Sequence, residues 1–257
     1  MNNVKNKIEQ LLASLGDFSY FVSYFFRWCW IKPFRLQKLF AHFNQIGVES
    51  TPIILLVSFF TGAVFALQTG YAFRLFNAET LVGSTVGLSL TREIAPVFTA
   101  LMVISRMGSS MAAEIGSMRV TEQIDALESM SVNPYHYLVV PRVISSMAMV
   151  PLLTIVFNIV GIFGSYLVAV GLLDIPAGPF WSKMEYYVDP KDLYGGLFKA
   201  IIFGFILAVI SCYQGYKTRG GAQGVGRATT RAVVYSSVSI LVVDYFLTQW
   251  ILETIGK

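Results

Sequence analysis

Five apolar stretches constrain this chain more than any other feature, because each is long enough to cross a membrane as a helix. About 20 helical residues, at about 1.5 Å each, span a hydrocarbon layer of roughly 30 Å. Only 13% of the 257 residues are charged, 55% are hydrophobic and the mean hydropathy is +0.61. Too few polar side chains remain to cover a soluble globule of this size. The predicted spans lie at about 51–73, 84–107, 143–173, 193–215 and 232–252.

The pattern predicts an all-α integral membrane protein with two parts. Residues 1–48 are expected to form N-terminal interfacial or elbow helices, and residues 49–257 the membrane domain with its five spans. Residues 18–31 are dense in aromatic side chains but too short to span, and several basic residues follow them. Aromatic and basic side chains favour the membrane interface. A short buried or re-entrant helix is the alternative there.

The positions of the basic residues predict the orientation. With the N-terminus in the cytoplasm, the cytoplasmic segments contain 13 of the 19 Lys and Arg residues. The positive-inside rule then gives a cytoplasmic N-terminus and a C-terminus on the other side. The net charge of +4 is small and dispersed, which argues against nucleic-acid binding. Two distant cysteines without a Cys/His cluster predict neither a disulfide nor a metal site.

Four ionisable residues lie inside the predicted spans, where each charge costs about 2.5–3.5 kcal/mol even on lenient insertion scales. They are Arg92, Glu93, Lys199 and Asp244. At about 1.5 Å per helical residue, all four lie at a similar depth in the outer half of the bilayer. Two interpretations stay open. The charges form an ion-pair network that holds helices together, or they line a wet cavity that receives the head group of an amphiphile.

The outer half of the first span offers apolar surface at a similar depth, suited to acyl chains, with one amide among it. A face turned to lipid or to another helix is the simpler interpretation of any single position. The candidate cavity residues are Phe65, Leu67, Gln68, Tyr71, Ala72, Phe73 and Phe76.

The loop between the second and third spans is the most polar stretch of the chain. Its apolar residues recur every three positions beside an acidic row, which predicts an amphipathic helix over about 114–134. The helix is expected to end at Asn133-Pro134, because a residue before proline is pushed out of the helical region. A helix held at the membrane surface between two spans is a suitable docking element for a cytoplasmic partner.

The loop between the fourth and fifth spans contains a glycine-rich run, 221–228, that approaches a phosphate-binding loop but lacks its key residues. Arg227 stands where that motif needs lysine, and Ala228 where it needs Ser or Thr. The chain is therefore not expected to be an enzyme or to hold ATP itself. The glycines predict a tight turn, with Thr229 and Thr230 capping the fifth helix.

Both loops resemble the signatures of the MlaE (YrbE-like) permease family, the membrane subunits of MCE-associated ABC lipid transporters. The runs are EIGSMRVTEQIDALESMSVNP at 114–134 and GGAQGVGRATTRAVV at 220–234. LSLTREIAPV at 88–97, the Phe180-Trp181 pair and VDYFLT at 243–248 are also similar. The resemblance covers nearly the whole chain after about residue 45.

The resemblance implies a permease that moves phospholipids between inner and outer membranes and maintains outer-membrane lipid asymmetry. It implies a multi-pass inner-membrane homodimer in a Gram-negative bacterium, with a cytoplasmic ABC ATPase that binds ATP and Mg, a STAS-domain protein and a periplasmic MCE hexamer. The four intramembrane charges would lie near the lipid cavity, and 114–134 would be the coupling helix. Its candidate ATPase contacts are Glu114, Gly116, Arg119, Glu122, Asp125 and Leu127.

Two other classes of function compete with this interpretation. An ion-coupled carrier or channel would use Glu93 and Asp244 as proton or cation sites. A membrane enzyme, such as a lipid transferase or protease, is disfavoured because the chain has only His42 and His136, neither of them near an evident nucleophile motif.

Overall fold

The computed structural model describes residues 2–29 and 36–255, which form helices joined by short turns and contain no β-strand. Within these residues, five helical segments are long and apolar enough to cross a membrane, so the all-α class and the number of spans are confirmed. The five spans are Gln37–Arg74, Glu79–Val120, Tyr135–Gly171, Pro190–Tyr216 and Gly221–Glu253.

Eleven α-helices make up the described residues, and several join end to end within one span. The bounds of α1 to α6 are Asn2–Cys29, Leu36–Ile46, Thr51–Arg74, Val82–Ser89, Ala95–Val103 and Ser109–Val120. Those of α7 to α11 are Gln123–Ser129, Val140–Gly171, Ala177–Tyr187, Pro190–Tyr216 and Gly221–Ile255. Wide π-helical turns at Leu90–Ile94 and Ile104–Gly108 link α4, α5 and α6 into the second span, and a third at Tyr135–Val139 begins the third span.

Helices α1 and α2 lie within residues 1–48, where the sequence predicted N-terminal interfacial or elbow helices, and residues 30–35 of that segment lie outside the described residues. Almost all of α2 belongs to the apolar helical segment Gln37–Arg74. The buried ring of Phe21 in α1 lies 5.2 Å from the ring of Tyr135 and 5.5 Å from that of Tyr213. Aromatic contacts of this kind join α1 to the third and fourth spans.

Small residues bring the membrane helices close together, as is usual where lipid removes the hydrophobic drive for helix association. At Gly62 in α3, an added Cβ would lie 1.9 Å from the backbone oxygen of Gly161 in α8. The backbones of the first and third spans therefore touch, and α3 packs along α8 more extensively than against any other helix.

The segment 174–192, which the predicted third and fourth spans leave as a connection outside the membrane, contains a helix. Residues Ala177–Tyr187 form α9, and the ring of Phe180 is completely buried against the backbone of Gly83. Phe180, the first residue of the FW pair that belongs to the resemblance, thus anchors this short helix to the start of the second span.

The predicted helix 114–134 is divided in two, because its first part continues the second span. Helix α6 ends at Val120, Glu122 adopts a left-handed conformation with φ of +59°, and α7 follows. Left-handed backbone interrupts a right-handed helix.

The predicted turn at 221–226 is also wrong, because α11 begins at Gly221. Thr229 and Thr230 therefore lie inside α11 and bond back to the carbonyl of Gly226, so they do not cap it.

Candidate functional site

Lys199 is the centre of a charged cluster that joins the second, fourth and fifth spans. Its ammonium donates to Glu93 at 2.5 Å and to the hydroxyl of Thr248 at 2.7 Å, and it lies 3.1 Å from a carboxylate oxygen of Asp244. Thr248 in turn donates to the backbone oxygen of Asp244, one helical turn earlier. Lys199 is only 2% exposed, so its charge is satisfied inside the protein.

The backbone around Lys199 explains how the cluster forms. A Cβ added to Gly196 would lie 2.1 Å from the backbone oxygen of Thr91, so α10 contacts the π-helical turn Leu90–Ile94 directly. That approach also brings Lys199 within 3.2 Å of the backbone oxygen of Arg92. The wide turn and the missing side chain together place a lysine and a carboxylate from distant parts of the sequence side by side.

Arg92 does not join Lys199 but forms a second ion pair with Asp192, at 2.8 Å. Asp192 also closes a capping box with Asp189 at the start of α10, which satisfies free backbone N–H groups there. The side chain of Arg92 remains 43% exposed. Its side chain is therefore partly accessible to a bound molecule, as is that of Lys191, which is exposed and lines the cavity described next.

The two ion pairs border one cavity of about 480 Å³. Charged side chains form much of its wall, and Ile251 and Leu252 of α11 add an apolar edge. Arg92, Glu93 and Lys199 line this cavity, and Asp244 contacts it through Lys199. The structure thus joins Glu93, Lys199 and Asp244 in one cluster. Arg92 lies on the wall of the same cavity but pairs with Asp192.

Two members of the cluster were not identified from the sequence. Asp192 lies in a segment read as a loop, although the run Asp189-Pro-Lys-Asp192 matches the start of a helix: a capping aspartate, proline at the first position and an acid at the third. Thr248 lies four residues after Asp244, and that spacing puts both on one face of α11.

The seven candidate residues of the first span do not form one surface. Phe65 and Gln68 line a separate groove of about 410 Å³ with Ile94 and Phe98. Phe73 is partly buried against the core. Leu67, Tyr71, Ala72 and Phe76 are exposed and line none of the described cavities near Lys199.

The candidate ATPase contacts also separate into different environments. Glu114 bonds at 2.8 Å to Arg142, which is buried in the third span. Gly116 is buried, and a Cβ there would lie 2.8 Å from the hydroxyl of Thr218. Gly116 therefore packs within the chain, whereas Glu114 is paired inside the chain with its side chain still 42% exposed.

The rest of this segment offers accessible side chains. Arg119 in α6 and Asp125 in α7 form an ion pair of 2.6 Å across the interruption at Glu122. Glu122 and Asp125 are exposed, and Leu127 is partly buried. The segment lies about 30 Å or more along the helices from the charged cavity, since Glu93 and Arg119 are 26 residues apart in one span.

Comparison with known proteins identifies the family. Residues 39–250 match the Permease MlaE family. A probable ABC transporter permease protein of Rickettsia conorii is 44% identical over 252 residues, which cover 96% of each chain. The intermembrane phospholipid transport system permease protein MlaE of Haemophilus influenzae is 40% identical over 212 residues, 82% of this chain and 81% of that protein.

A more distant relative is the chloroplastic protein TRIGALACTOSYLDIACYLGLYCEROL 1 of Arabidopsis thaliana. It is 37% identical over 221 residues, 86% of this chain and 62% of that protein. The resemblance found in the two polar loops is thereby confirmed. With its five spans and a family match over most of its length, the chain belongs to the MlaE family of multi-pass membrane permeases.

Proposed function

We propose that the chain is the permease subunit of an ABC transporter that moves phospholipids between the inner and outer membranes of a Gram-negative bacterium and so maintains outer-membrane lipid asymmetry. The observation that carries this proposal is the charged cavity beside Lys199, inside helices otherwise built for a membrane. The name of the Haemophilus relative supports the same substrate and the same pair of membranes.

The cavity has the chemistry that a phospholipid head group requires. The partly exposed guanidinium of Arg92 offers donors to a phosphate, and the partly exposed carboxylate of Glu93 offers an acceptor to an amine or hydroxyl. The neighbouring side chains of Ile251 and Leu252 suit the start of an acyl chain. Lys199, held by two carboxylates, keeps the helices together and fixes the position of Glu93.

The second part of the proposal concerns energy coupling. The partner ATPase would bind ATP and Mg and would contact the segment around α7, through Arg119, Glu122, Asp125 and Leu127. Motion there would pass along the continuous second span, which also carries Arg92 and Glu93. A single helical segment with both sites on it supports mechanical coupling between nucleotide hydrolysis and the cavity.

The orientation and the assembly are also part of the proposal. A cytoplasmic N-terminus puts α7 beside the ATPase and the charged cavity toward the periplasm, where an MCE hexamer would exchange lipid with it. The permease would act as an inner-membrane homodimer, with a STAS-domain protein on the cytoplasmic side. α11 presents many exposed apolar side chains, which offer a surface to lipid or to a second copy.

The proposal is tested by lipid transfer from proteoliposomes containing the permease, its ATPase and the MCE protein. We expect Glu93→Gln/Asp244→Asn to reduce ATP-dependent transfer and lipid copurification at least tenfold. A matched control is Arg74→Gln/Glu79→Gln, which removes an exposed ion pair outside the cluster. That pair joins the end of the first span to the start of the second. Normal transfer by the cluster variant in an intact complex would reject the site.

Liposomes prepared with and without the ATPase separate this function from an ion-coupled carrier. A carrier that uses Glu93 and Asp244 would move protons or cations across liposomes that contain this chain alone. A lipid transporter requires the ATPase, and a Walker-motif variant of that subunit abolishes its activity. Ion flux without the ATPase, lost in Glu93→Gln, would favour the carrier.

A further inference from the structure

A second groove lies at the other end of the helices, between α1, α10 and α11, with a volume of about 840 Å³. It is far from the charged cavity, because Lys199 and Lys217 are 18 residues apart along α10 and the residue after it, or about 27 Å. One end of the groove is lined by basic side chains, and the other end is less polar. The residues used in the argument are Phe18, Ile210, Arg219, Arg227, Arg231 and Tyr235.

The basic end carries positive charge that no described side chain neutralises. Among the described side chains, Arg219, Arg227 and Arg231 have no carboxylate partner, whereas the nearby Lys217 forms an ion pair with Asp17 of α1. Partial burial lowers the pKa of Lys217, but bonds to Asp17 and Tyr213 outweigh this and raise its pKa above the ordinary value.

The geometry of α11 makes this groove elongated. Arg227, Arg231, Tyr235 and Ser239 follow one another at intervals of four residues, so they lie on one helical face over about 18 Å. The arginines are nearest the loop that precedes α11, and the tyrosine and serine lie deeper in the span. On the opposite wall, Ile210 of α10 and Phe18 of α1 add apolar surface.

We propose that this groove binds an anionic phospholipid of the adjacent leaflet, with the phosphate between Arg227 and Arg231 and one acyl chain along Tyr235 and Ile210. Charge complementarity selects the occupant: unpaired guanidiniums bind phosphate with charge-assisted hydrogen bonds, and the apolar end matches hydrocarbon. The groove opens at the end of two membrane spans, where lipid head groups lie. This site does not depend on the function proposed for the Lys199 cavity.

Native mass spectrometry of the full-length protein, titrated with phosphatidylglycerol or phosphatidylcholine, tests the proposal. The titrations use a Glu93→Gln/Asp244→Asn background, so that the groove is measured apart from the cavity beside Lys199. We expect Arg227→Gln/Arg231→Gln to raise the apparent Kd for phosphatidylglycerol about tenfold and to remove its preference over phosphatidylcholine. Arg74→Gln/Lys183→Gln, which removes two cations outside the groove, is expected to change neither.

Two further measurements keep the result decisive. Ser239→Trp fills the deep end and is expected to weaken binding of long-chain phosphatidylglycerol more than binding of its dihexanoyl form, even if the arginine variant folds poorly. Full displacement of the lipid by millimolar inorganic phosphate would show a site for a free anion and overturn the proposal. Unchanged phosphatidylglycerol binding by Arg227→Gln/Arg231→Gln would also overturn the proposal. If that variant binds lipid normally but loses its ATPase partner, the arginines serve the ATPase contact and the proposal is equally overturned.

Discussion

The ammonium of Lys199 lies 2.5 Å from a carboxylate oxygen of Glu93, although 106 residues separate them in the chain. Asp244 supplies a second carboxylate at 3.1 Å, so one buried cation pairs with two acids from different helices. Removal of the cation would leave two negative charges close together at the junction of three spans. The cluster is therefore a structural joint as well as part of the cavity wall.

Replacement of Lys199 by methionine tests this joint. We expect Lys199→Met to lower the free energy of unfolding by about 3–5 kcal/mol, because breaking a buried ion pair leaves uncompensated charge. The triple variant with Glu93→Gln and Asp244→Asn should recover part of the loss, since it removes the acids as well. Thermal unfolding in detergent measures the effect, with Lys183→Met as control. Equal stability of Lys199→Met and wild type would contradict the assignment.

The close approach of α10 to the second span gives a second prediction. Gly196→Ala places a Cβ where the backbone oxygen of Thr91 lies, at 2.1 Å, and backbone yields less easily than a side chain. We expect a loss of about 1–3 kcal/mol in unfolding free energy. Gly178→Ala is the matched control, because its Cβ would meet nothing within 4 Å.

Gly196→Ala should also weaken the cluster itself, since it moves Lys199 away from Glu93. A double-mutant cycle between Lys199→Met and Glu93→Gln, measured in the Gly196→Ala background, is expected to give a smaller coupling energy than in wild type. If the alanine variant is as stable as the Gly178→Ala control, the helices are not in contact at this position.

The convergence of Glu93, Lys199 and Asp244 was predictable because a charge in hydrocarbon is expensive enough to need a partner. The partner of Arg92 was not, because Asp192 belongs to a helix start that hydropathy alone does not distinguish from a loop. The sequence also did not predict that Leu67, Tyr71 and Phe76 are exposed and lie outside the cavity. In a membrane, lipid-facing and buried faces are both apolar, so the sequence carries no amphipathic stripe to orient the helix.

The predicted helix boundaries were inaccurate for a related reason. The second span continues past Gly108 to Val120, where polar residues appear without any helix-ending signal, and hydropathy marks only its apolar part. The left-handed residue Glu122 ends α6 in place of the glycine that usually takes this role. Nothing in its side chain predicts that conformation.

Glu122 gives a third prediction, since its φ of +59° suits glycine and strains a β-branched residue. Glu122→Val is expected to cost about 1–2 kcal/mol and to misdirect α7, so that less ATPase copurifies with the permease. Glu122→Gly should keep the turn and the assembly. Gln123→Val places the same side chain on the next, ordinarily helical residue and serves as control. A similar loss in the glycine variant would mean that the carboxylate, and not the backbone, is required.

The pairing of Glu114 with Arg142 leads to a final prediction about which residues touch the ATPase. Arg142 is 6% exposed, and its guanidinium bonds to the backbone oxygen of Leu138 as well as to Glu114. If Glu114 acts inside the permease, Glu114→Gln should cost about 1.5–3 kcal/mol in the wild type and much less once Arg142→Met has removed its partner.

ATPase stimulation by the permease, measured on the same four proteins of this cycle, completes the test. We expect stimulation to follow stability, so that Glu114→Gln has little further effect in the Arg142→Met background. Glu122→Gln is the matched control, because this exposed carboxylate should show no coupling to Arg142 in unfolding. A drop in stimulation by Glu114→Gln that persists without Arg142, at unchanged stability, would instead make Glu114 a direct contact with the ATPase.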